Sequence, residues 1–165
     1  MKRLALALVV LLGCGGDDEP VIEGPPRVEL GSGESSFEPL VDGDEIEVVL
    51  GPQGGYHLVG SARVGGIDPG NPNDLGDSDN PTTTFRVFVG SSRFDAMAST
   101  YTQGLKSAGN AEYEMIGRFV ILDILDDAEL DGMMVRFEVD VLAADGAGMA
   151  SDSRTLLAVP HPNNR

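Results

Sequence analysis

The segment Glu45-Ile46-Glu47-Val48-Val49-Leu50-Gly51-Pro52-Gln53-Gly54-Gly55-Tyr56-His57 alternates polar and apolar residues up to a glycine-rich break, then resumes alternating. Before the break, Ile46, Val48 and Leu50 recur at the period of two that a half-buried strand requires. After it, Tyr56, Leu58, Ala62 and Val64 share one face, and His57, Ser61 and Arg63 share the other. Pro52 presets φ for a first corner, and Gly54 and Gly55 admit positive φ. Five residues between two strands is an ordinary hairpin length. The segment therefore reads as a β-hairpin. Two uses of its turn are open. Amides around Gly54 and Gly55 can cradle an anion or carbonyl, with Gln53 and His57 as polar contacts, or the turn is structural with a surface histidine.

Working outward, the same short alternating runs recur between clusters of Gly, Asp, Asn and Pro, and no long amphipathic helix is visible. Arg27–Leu30 is a first strand, and Phe37–Val41 contains Pro39, which suits a sheet edge. Thr83–Val89 sets Phe85, Val87 and Val89 against Thr84, Arg86 and Phe88. Arg93–Tyr101 reads as extended, or as a short helix on its alanines. Phe119-Val120-Ile121-Leu122 is a continuous apolar run, expected to be buried on both faces. Val135, Phe137, Val139 and Val141 mark a clean strand, turned back through Asp145–Gly148 into Met149–Val159. Eight or nine short strands at this spacing predict an all-β fold, a two-sheet antiparallel sandwich.

Composition narrows the partners. The 165 residues carry 27 Asp and Glu against 11 Lys and Arg, a net charge of −16. Such a chain is repelled by nucleic acid and by anionic lipid surfaces. At 41% hydrophobic residues it still has enough apolar mass for a core. Trp is absent and aromatics make up 5%, which weakens a carbohydrate-stacking platform.

The amino terminus carries the most specific signal. Met1-Lys2-Arg3 is a short basic region, and Leu4 to Leu12 contains only Leu, Ala and Val. That run is too short for a membrane-spanning helix, which needs about 20 residues, but it suits the apolar part of a signal peptide. Leu11-Leu12-Gly13-Cys14 resembles a bacterial lipobox. The resemblance implies that the Cys14 thiol carries a diacylglyceryl group, that residues 1–13 are removed, and that the new amino group is acylated. Losing Lys2 and Arg3 with the signal takes the net charge to −18. Acyl chains contribute about 0.8 kcal/mol per buried methylene, so two or three anchor stably. Cys14 is the only cysteine, so the domain must hold itself together without a disulfide. Residues 14–26 read as a flexible acidic tether, residues 27–160 as the domain and 161–165 as a tail. Gly15 directly after Cys14 resembles lipoproteins released to the outer membrane.

The segment Arg136–Val159, with Asp145-Gly146-Ala147-Gly148 inside it, resembles the final hairpin of bacterial immunoglobulin-like and fibronectin-like surface domains. Leu130-Asp131-Gly132 resembles the corner that precedes it. The Gly51–His57 turn resembles one in lipoproteins of predatory and gliding bacteria. The Cys–Trp–Cys core of antibody domains is absent. These resemblances imply an immunoglobulin-like sandwich, and a fold of that kind does not specify an activity.

Candidate chemistry is sparse. Asp68, Asp74, Asp77 and Asp79, with Asn71, Asn73 and Asn80, crowd hard oxygen donors into one loop that can serve Ca²⁺. The spacing is not that of an EF-hand, and the same residues are ordinary loop formers. Asp123, Asp126, Asp127, Glu129 and Asp131 form a second acidic cluster. It reads as a solvated corner rather than as the opposed pair a glycosidase needs. His57 and His161 lack metal-ligand spacing, no serine sits in a nucleophile elbow, and no phosphate-binding loop follows a strand. The expectation is a lipid-anchored, non-catalytic binding or structural module of the bacterial envelope, presenting loops 51–57 and 67–81 at one end. No cofactor is called for. Beside it stand a Ca²⁺-dependent adhesion or carbohydrate-binding module and, last, a glycan or ester hydrolase. A protein or glycan partner is compatible with all three.

Overall fold

The computed structural model describes Pro20, residues 22–95 and residues 99–164. The signal segment, Cys14 and most of the tether lie outside them. The described chain is all-β. Its strands are β1 (Arg27–Ser32), β2 (Glu38–Pro39), β3 (Glu45–Leu50), β4 (Tyr56–Gly65), β5 (Thr82–Val89), β6 (Ser92–Arg93), β7 (Ser99–Thr102), β8 (Lys106–Gly109), β9 (Glu112–Ile121), β10 (Met134–Leu142) and β11 (Met149–Pro160). One 3₁₀ turn, Asp127–Glu129, precedes β10. Among the described residues no helix is long and apolar enough to cross a membrane.

Pairing follows the sequence periods. β4 is flanked by β1 and β9, with β2 outside β1 and β8 outside β9. β10 is flanked by β11 and β5, with β6 and β7 beyond β5. As expected of a strand holding proline, β2 lies at an edge. β3 joins the two ladders. Its residues Glu45–Val48 run parallel to Leu157–Pro160 of β11, and only Val49 and Leu50 pair antiparallel with His57 and Tyr56. The sheet is therefore mixed rather than wholly antiparallel. The cause is local: the Gly43 amide donates to Thr155 O at 2.8 Å and the Leu157 amide to Asp44 O at 2.8 Å, which launches β3 alongside β11. On the other flank, Asp95 bridges to Leu122, and the Asp123 amide donates to Phe94 O at 2.7 Å.

The core is where the alternating positions meet. Val135, Phe137, Val139 and Val141 of β10, Phe85 and Val87 of β5, and Leu58, Ala62 and Val64 of β4 are all buried in one cluster. Burying each large apolar side chain contributes about 1.5–3 kcal/mol. The Phe85 and Phe137 rings lie 5.8 Å apart. A Cβ at Gly60 of β4 would stand 2.9 Å from Phe85 and 3.1 Å from Phe137, so only glycine lets β4 approach these rings.

Two expectations are revised. Val120 and Leu122 are buried, but Phe119 is 51% exposed and Ile121 47%. The apolar run is covered on one face only. The loops 51–57 and 67–81 do not share an end. They stand at opposite ends of β4, whose ten residues span about 30 Å. Just ahead of β1 the backbone also meets the domain. Pro25 O occupies the place of a Gly66 Cβ, at 2.2 Å, and Arg27 Nη1 donates to Glu23 O at 3.1 Å. The tail is docked as well: the Leu50 amide donates to Asn164 Oδ1 at 2.8 Å, and Asn164 Nδ2 to Val48 O at 2.7 Å.

Candidate ligand-binding cleft

The hairpin turn is closed on itself. The Gly51 amide donates to Gly55 O at 2.9 Å, and the Gly54 amide to Gly51 O at 3.0 Å, with Gly54 and Gly55 at φ of 79° and 86°. Gln53 is exposed at the tip. His57 does not join it, and it is not a surface residue. It is 6% exposed, and its ring centroid lies 4.4 Å from that of Phe119. Burial holds the imidazole below its ordinary pKa of 6.5, and the charge of Glu34 opposes that shift only in part. Among the described residues no group hydrogen-bonds the imidazole.

The Asp/Asn loop is built on a repeat of three. Amides of Asp74, Asp77 and Asn80 donate to the carbonyls of Asn71, Asp74 and Asp77 at 3.2, 3.3 and 3.3 Å. In step with them, the side chains of Asp68, Asn71, Asp74 and Asp77 each accept from the amide two residues on, at 2.8 to 3.0 Å. Asn80, 2% exposed, stitches the coil: its Oδ1 accepts from the Asn71 amide and its Nδ2 donates to Asp74 O. Consecutive Asx turns give a long loop internal order. Asp79 is exposed, within hydrogen-bond reach of the Ser78 hydroxyl. Among the described residues no three acidic, His or Cys side chains come together to hold a metal.

The second acidic cluster is a capped corner. Asp126 accepts from the Ala128 amide at 2.9 Å, Glu129 accepts from the Leu125 and Asp126 amides, and Asn164 donates to Asp127 at 2.8 Å.

A different region has unused chemistry. Where β3 leaves β4 for β11, a cleft of about 650 Å³ opens, lined by Glu34, Glu38, Glu45, Glu47, Val59 and His161, among others. All four glutamates are exposed. His161 Nε2 lies 3.8 Å from Glu47. Among the described residues, none of the four carboxylates is paired with a Lys or Arg. One wall depends on a bulge: Gly117 of β9, at φ 67°, leaves room for Glu34 O, 2.6 Å from where a Cβ would stand. The Ser61 hydroxyl donates to Gly33 O and accepts from the Gly117 amide. On the same face, Val59 is paired across from Phe119, and His57 from Ile121. An apolar shelf thus adjoins the acidic cleft.

Pairing register shows which backbone groups face the gap. The Leu157 and His161 amides donate to Asp44 O and Val48 O, so the even-numbered residues of β3 face β11 and Glu45 and Glu47 face away. The Leu122 amide donates to Tyr56 O, so the even-numbered residues of β4 face β9 and Val59 faces the gap. Among the described residues no strand covers that side of Glu45–Val48 or of Leu58–Gly60. Sequence reasoning missed this site. The alternation of Glu45 and Glu47 on an outward face was the available signal. No known protein family, curated protein or solved structure matches the chain.

Proposed function

We propose that this protein is a non-catalytic binding module of the bacterial envelope, held to the outer membrane by lipid on Cys14. Leu11-Leu12-Gly13-Cys14 after an uncharged apolar run is the observation that carries it. We also infer that the two ladders face each other as an immunoglobulin-like two-sheet sandwich. The contact of Gly60 with both Phe85 and Phe137 supports that reading. On it, the chain enters β1 beside Gly65, which turns the Asx-turn loop and the Asp145–Gly148 turn toward the anchor. The Gly51–Gly55 turn, at the far end of β4, faces outward, and the cleft opens on the flank. The expected ligand is a protein segment taken up beside exposed carboxylates and an apolar shelf.

The test is detergent-phase partition and intact mass of the protein made in a bacterial host. The wild type is expected in the detergent phase, starting at Cys14 and heavier by its acyl chains. Cys14→Ser is expected in the aqueous phase at its polypeptide mass. A wild-type chain that retains residues 1–13, or that carries no added mass, overturns the anchor.

A further inference from the structure

We propose that the cleft beside β3 takes up an extended, basic peptide segment of a partner protein as an added strand. The proposal deepens the binding-module reading and rests on it. Three observations converge. Glu45 and Glu47 direct their backbone N–H and C=O groups into a gap where no strand lies among the described residues, and an unpaired edge accepts a strand by main-chain hydrogen bonding. Glu34, Glu38, Glu45 and Glu47 surround that edge without a Lys or Arg partner, so the matching side chains are cationic. The shelf of Val59, Phe119 and Ile121 shares the face of Glu45 and Glu47, since Val49 of β3 pairs across from His57, and takes the methylene stems of those cations, with Phe119 and Ile121 about half exposed.

The edge itself selects the pattern. Successive residues of an added strand point to opposite faces, so in a segment alternating Lys or Arg with aliphatic residues the cations lie on the face shared by Glu45, Glu47 and Val59, and the aliphatic residues point to the inner face beside Ile46. A second copy of this chain is disfavoured, because the net charge of −16 repels its like. A metal ion is a poorer occupant, since among the described residues no cluster of three ligands forms.

The test is an amide NMR titration of the full-length chain at physiological salt with two peptides of equal length and charge. One alternates lysine with valine; the other alternates lysine with proline and cannot form a ladder. The valine peptide is expected to saturate, shifting the amides of Glu45, Glu47 and Val59. Glu45→Gln combined with Glu47→Gln should weaken it by about tenfold, two ion pairs' worth, with an unchanged melting midpoint. Equal affinity for the proline peptide means that charge alone attracts and overturns strand addition. Absent saturation, or shifts confined to residues 66–81, overturns the cleft. Acylation of Cys14 is read separately by mass, so the anchor and the cleft fail independently.

Discussion

The loop from 66 to 81 and the cleft beside β3 are both rich in carboxylates, yet their oxygens face different partners. In the loop, Asp68, Asp74 and Asp77 are turned onto amides two residues ahead. In the cleft, Glu34, Glu38 and Glu45 meet no cation and Glu47 meets only His161. The difference lies in side-chain reach and backbone context. An Asp or Asn oxygen sits one methylene from its own backbone and closes an Asx turn, whereas a glutamate oxygen sits two methylenes away and extends past that turn. Acidity alone therefore does not mark a binding site; the proposed one joins unengaged acidity to an unpaired edge.

The harshest way to break the comparison is Asn80→Ala. It removes both the acceptor for Asn71 and the donor to Asp74 O inside a buried coil. A loss of about 2–3 kcal/mol is expected in urea unfolding. A loss below about 0.5 kcal/mol would mean that the coil is not held by Asn80. A subtler test is Asp74→Ala against Asp74→Asn. Alanine deletes the turn acceptor and should cost about 1 kcal/mol, the order of a helix-cap deletion. Asparagine keeps an acceptor and should be nearly neutral, even though it removes a charge.

The pH profile sharpens the cleft side. His57 has its folded pKa below 6.5, so on acidification the unfolded chain takes up the proton first. The stability from keeping this imidazole neutral is full above about pH 6.5 and falls as pH drops through the folded value. His57→Leu should flatten that step in a series of melting curves, and an unchanged step would assign it elsewhere. The smallest effect is expected for Glu45→Gln with Glu47→Gln, within about 0.5 kcal/mol of wild type, because neither carboxylate pairs with a Lys or Arg.

The strands were legible because period-two alternation reports one buried face directly: Val135, Phe137, Val139 and Val141 needed no further context. Phe119 and Ile121 were misread for the same reason that they matter. A continuous apolar run states hydrophobicity but not which face is covered, and only the position of β9 beside β4 leaves one face open. The Asp/Asn repeat of three stands at 68, 71, 74, 77 and 80, but in the sequence it reads equally as ordinary loop residues or as crowded ligands, since a pattern of oxygens does not say which donors they meet. The buried state of His57 also escaped, because its cover comes from Phe119, distant in the chain.

By itself, then, the amino-acid order determined the all-β class, the positions of the longer strands and the glycine turns, all of which depend on neighbours a few residues apart. Tertiary structure alone decided the cleft. Glu34 and Glu38 face Glu45 and Glu47 across a gap only because β3 abandons β4 to run beside β11. That choice is made by Thr155 and Leu157, more than a hundred residues downstream, whose bonds to Gly43 and Asp44 set the direction of β3.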